Sequence, residues 1–203
     1  AIFLALGLRF AGKIFSLNAS IKALPKIINN SESAYLTPPA EEFAKSFIEA
    51  CAEYKKLKLP FYEAENQDQV RKLIKRLKLA ATEPEEGQIP YLTFWLIQNG
   101  EYIGAGNVRT SLNNELRFFG GHMAYEIRPS QKGKGYEGLM LKLLLQKAKE
   151  LNLSSARVTC EADDITAIDA IEYNNGHLCD LVLIDQGGKA RPTKIYQFFI
   201  KRG

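Results

Sequence analysis

The sequence predicts an α/β (α+β) fold: a mixed, mostly antiparallel central sheet flanked by helices, with one strand–helix–strand crossover. Three observations predict it. Tyr91–Gln98 and Glu101–Thr110 read as strands around Asn99-Gly100, a strong short hairpin signal. A glycine turn, Gly133-Lys134-Gly135, joins an apolar strand to a helix in which Tyr136, Met140, Leu143, Leu144, Ala148 and Leu151 recur at helical spacing. A further strand, Arg157–Cys160, follows that helix and completes the crossover.

In chain order, Tyr35-Leu36 is the expected first strand. Thr37-Pro38-Pro39-Ala40-Glu41-Glu42 has the chemistry of a helix start: a capping Thr37, prolines and early acids. Phe43, Phe47, Ile48, Cys51 and Tyr54 give that helix an apolar face. A second helix spans about 67–80, with Val70, Leu73, Ile74, Leu77 and Leu79 inward and its lysines and arginines forming a solvated face. Residues 82–87 form a loop. After the hairpin, Asn113-Asn114 marks a turn, and a strand runs from about Leu116 to Ile127. The glycine turn, a helix to about Asn152 and strand Arg157–Cys160 come next. A short helix from Asp164 to Asn174, a strand over Leu178–Ile184, a turn at Gly187-Gly188 and a last strand over Lys194–Ile200 complete the order. By alternation, the aromatics Tyr91, Phe94, Trp95, Phe118, Phe119, Phe198 and Phe199 belong mostly to the core.

Two units are expected, a basic extension over 1–34 and a folded domain over 35–203. Of the 27 basic residues, Arg9, Lys13, Lys22 and Lys26 lie in residues 1–31, which hold no acid. The remainder balances 23 basic against 23 acidic residues, so the charge of +4 belongs to the extension. It gives no reason to assign nucleic-acid binding to the domain. The extension reads either as a targeting or interfacial segment or as a tail packed on the domain or a partner; no membrane role is expected. Cys51, Cys160 and Cys179 are odd in number and widely spaced, which argues against a disulfide framework and fits a reducing, cytoplasmic setting. His122 and His177 stand in no metal-ligand pattern, so no metal is expected. No apolar run approaches the roughly 20 residues that cross a bilayer.

The turn carries the functional signal. A glycine turn that opens a helix presents unpaired N–H groups, and with the helix dipole these favour an anion, usually a phosphate. Arg128, Lys132 and Lys134 add positive charge around it.

These residues, in this order, resemble the GNAT superfamily of acyl-CoA-dependent N-acetyltransferases over about residues 35–203. The likeness is strongest to a family of predicted bacterial acetyltransferases. It rests on Gly120-Gly121-His122, Ile127-Arg128-Pro129-Ser130, Gly133 to Tyr136, Thr159-Cys160 and the segment Ile171 to Gly176. The resemblance implies acetyl-CoA as co-substrate. Backbone N–H groups of Lys132, Gly133, Lys134, Gly135, Tyr136 and Glu137 would hold its diphosphate. The strand ending at Ile127 and Arg128 would pair with the pantetheine arm, splayed from Arg157–Cys160. Three departures stand out: Lys132 for Arg or Gln, Glu137 for Gly or Ala, and Asp164 for Asn. Unless Glu137 points outward, its carboxylate opposes a phosphate. Asp164 is a candidate cofactor contact, though as an N-cap for the following helix it has a plainer reading.

Acetyl transfer requires a deprotonated amine and a polarised thioester carbonyl held in line. Glu126 and His122 are the candidate bases; each has a plainer reading, Glu126 as the partner of a lysine and His122 as a hydrogen-bonded packing residue. The family's tyrosine acid falls on Glu172, with Tyr173 on another helical face. Cys160 reads as buried packing. The resulting expectation is transfer of an acetyl group to a primary amine of a small molecule or peptide by direct attack. The alternative is a weak or inactive module that binds coenzyme A or a partner. Whether the chain forms a homodimer is left open by the sequence.

Overall fold

The computed structural model describes residues 34–185 and 190–201. The expected extension, up to residue 33, and the Gly187-Gly188 turn lie outside the described residues. The elements are β1 (Ala34–Thr37), α1 (Ala44–Lys56), α2 (Gln67–Leu79), β2 (Leu92–Gln98), β3 (Glu101–Val108), α3 (Asn114–Phe118) and β4 (Met123–Ile127). They continue with α4 (Tyr136–Glu150), β5 (Ser155–Glu161), α5 (Ile165–Tyr173), β6 (His177–Asp185) and β7 (Ala190–Phe199). The strands form two antiparallel sheets, ordered β1-β2-β3-β4 and β5-β7-β6. The crossover β4–α4–β5 passes from one sheet to the other.

Strand alternation splits the core of the first sheet between its faces. Phe94, Leu96, Met123 and Ile127 pack with Met140, Leu141 and Leu144 of α4. Trp95, Ile97 and Ala105 pack with Phe47 of α1 and Val70, Leu73 and Ile74 of α2. Phe47 stacks on Trp95 with centroids 4.7 Å apart. Both faces being covered, β2 and β3 are buried along nearly their whole length. The hairpin turn forms at Asn99-Gly100, whose φ values of 50° and 77° are the left-handed pair that a tight hairpin needs.

Three local expectations are corrected. Leu116–Phe118 are helical, and β4 begins only at Met123. Asn113 caps that short helix, its side chain accepting the Leu116 N–H at 2.8 Å, and Gly120 and Gly121, with φ of 102° and 66°, break the chain before the strand. Thr37 makes no cap but ends β1 opposite Trp95, because a residue before proline is held extended. The first helix opens instead through a 3-10 turn at Glu41–Phe43. Phe118, Phe199 and, at the end of α2, Leu79 are exposed rather than core. Phe118 lies on the outer side of the short helix, and Phe199 on the outer face of the second sheet.

Candidate active site

The register of β4 determines what its two edges can bind. The Arg128 N–H donates to Ile103 O at 2.8 Å, and the Arg109 N–H donates to His122 O at 2.8 Å. Even-numbered residues of β4 therefore turn their polar backbone groups to β3. Met123, Tyr125 and Ile127 turn theirs to the opposite edge, facing β5. That strand ladders with β7 instead. The two sheets meet at one end, where the His122 N–H donates to Arg157 O at 2.7 Å and the Gly120 N–H to Thr159 Oγ1 at 2.9 Å. Gly121 permits the approach, since a Cβ there would collide with Arg157 O. Beyond that pin the strands diverge around a cavity of about 540 Å³, lined by Met123 to Ile127 and by Val158 to Glu161.

The glycine turn closes the end of the cavity reached by the C-terminus of β4. Gly133 and Gly135 have φ of 70° and 87°, and α4 starts on Gly135 without a side-chain cap. Glu137 lies at 9% exposure with its Oε1 accepting the Gly133 N–H at 3.1 Å. It is turned inward, onto an amide expected to serve a phosphate. Lys132 and Gly133 also line the cavity. Arg128 does not; its guanidinium runs back to α1, pairing with Glu53 at 2.8 Å and Glu49 at 3.6 Å and donating to Ser46 Oγ at 3.1 Å. Its role there is to tie the end of β4 to α1. The Tyr136 hydroxyl donates to Gln98 and anchors the start of α4 on β2. Lys134, on the exposed tip of the turn, donates to Gln131 Oε1 at 3.0 Å.

Glu126 lies on β4 and His122 immediately before it, and the two are held differently. The Glu126 carboxylate lines the cavity, pairs with Lys132 Nζ at 2.7 Å and lies 3.0 Å from the Tyr54 hydroxyl. That hydroxyl also reaches Ile127 O at 2.8 Å. The His122 ring accepts the Arg157 N–H at Nδ1, 3.0 Å away, which leaves the proton of the neutral ring on Nε2. Burial, with Arg157 and Arg109 nearby, holds this imidazole below its ordinary pKa. Its lone pair is committed to the pin between the sheets.

Asp164 lines the cavity and caps α5, accepting the Ala167 N–H at 3.0 Å. Glu172, at the position of the family's tyrosine, accepts from the Tyr196 hydroxyl at 3.0 Å, and Tyr173 is exposed. Cys160 faces the cavity, where burial and the nearby Asp164 push its thiol up to about 12.

Three polar groups at the site had no marker in the sequence. Tyr54 reads as a core position on α1, and only packing shows its hydroxyl reaching β4. Tyr125 shares the face of Ile127, yet its hydroxyl is buried beside the cavity without a hydrogen-bond partner among the described residues. Burial, together with Glu137 and Asp164, raises that phenol far above its usual pKa. Arg109 is buried and lines the cavity near the pinned end. Among the described residues there is no group of His, Cys, Asp and Glu able to hold a metal, and no helix is long and apolar enough to cross a membrane.

A model of the acetyltransferase (GNAT) domain matches residues 34–174. Comparison with curated proteins found no match. Among solved structures, the fold is similar to an acetyl transferase of Salmonella typhimurium that modifies the N-terminal serine of the 50S ribosomal subunit protein L7/L12. The identity is 14%, the match covers 86% of this chain and 99% of that one, and the TM-score is 0.59. It is also similar to RimJ of Mycobacterium smegmatis in complex with a CoA disulfide, at 14% identity, 82% and 81% coverage and a TM-score of 0.60. A third structure is the microcin C7 self-immunity acetyltransferase MccE in complex with acetyl-CoA and AMP, at 13% identity, 87% and 98% coverage and a TM-score of 0.62.

Proposed function

The chain belongs to the GNAT acetyltransferase family and is therefore an acyltransferase, and from that premise we propose that it transfers an acetyl group from acetyl-CoA to a primary amine by direct attack. Residues 35–203 act as the acetyltransferase unit in this reading. The observation that carries it is the β5-facing edge of β4, which lies over the cavity and leads into the glycine turn. An extended, amide-bearing arm matches such an edge as an added strand matches a sheet. Lys132, Gly133, Lys134, Gly135 and Tyr136 hold the diphosphate on their backbone N–H groups, and the cavity-facing edge of β4 that ends at Ile127 guides the pantetheine, while Arg128 fixes the end of that strand against β3 and α1. Asp164 orders the start of α5 beside the pantetheine. Similar folds have been solved with a CoA disulfide and with acetyl-CoA, and another similar protein modifies a protein N-terminus, which supports a thioester donor and an amine acceptor.

In the chemical step the amine nitrogen bonds to the acetyl carbon as the carbon–sulfur bond breaks. Glu126 takes the amine proton, directly or through water, and solvent protonates the departing thiolate. A β4 N–H polarises the thioester carbonyl. His122 serves by holding β4 against β5. Cys160, kept as a thiol, forms no acyl intermediate. The free cysteines go with a cytoplasmic setting.

One observation favours a second reading, a weak or inactive module: the Glu137 carboxylate lies on the Gly133 N–H. A melting experiment with millimolar acetyl-CoA, run beside thiol release on a panel of amines, separates the two. A rise of several degrees with thiol release supports the enzyme, and a rise without it supports the module. No rise, in the native chain or in Glu137→Ala, removes the cofactor site from both.

A further inference from the structure

Arg109 is a buried charge without a counter-charge among the described residues. It lies at 6% exposure just beyond β3. Its Nη1 donates to Asn107 Oδ1 at 3.2 Å and to Gly121 O at 3.5 Å, and its guanidinium stacks over Tyr91 at 5.6 Å from the ring centroid. Among the described residues no carboxylate touches it. Arg128 and Arg191, by contrast, are matched by Glu53 and Glu161 at 2.8 Å each. Burying an unpaired ion is strongly unfavourable, and arginine cannot escape by losing its proton. Its neutral acceptors, Asn107 Oδ1 and Gly121 O, carry no charge to balance it. Asn107 is fully buried with its Nδ2 unpartnered, and Thr93, opposite it in the ladder, is buried with its hydroxyl unpartnered. Arg157 lies close enough to join Arg109 in disfavouring a charge on His122. An arginine that lines a cavity and has no carboxylate beside it among the described residues is suited to an acceptor-only group.

Register sets where that group would sit. Arg109 is opposite His122, and Glu126 lies four residues further along β4 on the same face. Their Cα levels are thus about 13 Å apart, a span that two long side chains shorten to the size of a small molecule. The glycine turn is further still, so the diphosphate is not the anion for this arginine. Leu116 and Phe119 give the same part of the cavity an apolar wall.

We infer that Arg109 is the carboxylate-binding group of the acceptor site. The acceptor is then an amino-carboxylate with an apolar body, whose amine lies toward Glu126 and whose carboxylate is gripped by the guanidinium fork. This rests on the acetyltransferase reading for the role of Glu126, but the binding claim can be tested without turnover.

The test uses the full chain saturated with CoA, with two matched pairs: L-leucine against isopentylamine, and L-phenylalanine against phenethylamine. Each amino acid should raise the melting temperature where its decarboxylated partner does not, and Arg109→Gln should abolish the difference. With acetyl-CoA, thiol release should favour the carboxylates at least tenfold in kcat/KM, and the ratio should fall towards one in Arg109→Gln. The stabilisation by acetyl-CoA should be unchanged in that variant. The variant should also melt no lower than the native chain, because it removes an unpaired charge; a large drop would assign Arg109 to structure instead. Equal responses to acid and amine, or a preference that survives the substitution, overturns the inference. Carboxylate binding with no thiol release would leave the inference standing and sink the enzymatic reading.

Discussion

Glu137 is the residue that most affects donor binding. Its carboxylate accepts the Gly133 N–H, in the turn proposed to receive the diphosphate. Two such charges about 4 Å apart repel by roughly 1 kcal/mol in water and nearer 4 kcal/mol at a protein surface. Glu137→Gln keeps the shape and removes the charge, so it should tighten acetyl-CoA binding by about tenfold or more in a calorimetric titration. Unchanged affinity would mean that the side chain leaves the turn when the donor arrives. The identity of this residue was legible in the sequence as a departure from the family pattern, but its direction was not, because rotamer and burial depend on the packing of α4. Arg109 makes the same point more strongly. Nothing in a string of letters separates a solvated arginine from one buried with no acid beside it.

At the level of elements, β4 is held in place from behind by α1. Arg128 pairs with Glu53, which also accepts the Ser130 N–H at 3.0 Å and lies 3.0 Å from the Ser130 hydroxyl. Burial alone would raise the Glu53 pKa, but Ser130 and Arg128 outweigh it and hold the carboxyl below its ordinary value of 4.5. A carboxyl depressed in the folded state stabilises the fold above its unfolded pKa. That contribution is lost as the pH falls from about 4.5 through the lower folded value. Glu53→Ala should therefore cost about 2–3 kcal/mol in denaturant unfolding at neutral pH, by stranding a buried arginine. It should also flatten the loss of stability on acidification; an equally steep acid limb in the variant would assign the effect to other carboxyls. Most elements could be read in advance where one signal dominates, as with Asn99-Gly100 for the hairpin or the spacing of Val70, Leu73, Ile74 and Leu77 for α2. Asn113 could not, because the same side chain suits a turn and a helix cap, and the choice between them was made by the glycines that follow.

For the whole molecule, the order of strands and the crossover were legible, and the opening between the two sheets was legible only through the family resemblance. Its physical basis is the pin at Gly121 and His122, beyond which β4 keeps one edge laddered and the other turned to the cavity. The consequence can be read amide by amide in heavy water. Along a single short strand the isotope should enter in alternation, quickly at Met123, Tyr125 and Ile127 and slowly at Ala124 and Glu126, whose protons are bound to β3. Acetyl-CoA should erase that stripe by slowing the fast positions alone. Uniform labelling of the five amides in the free chain would show that the seam spends its time closed.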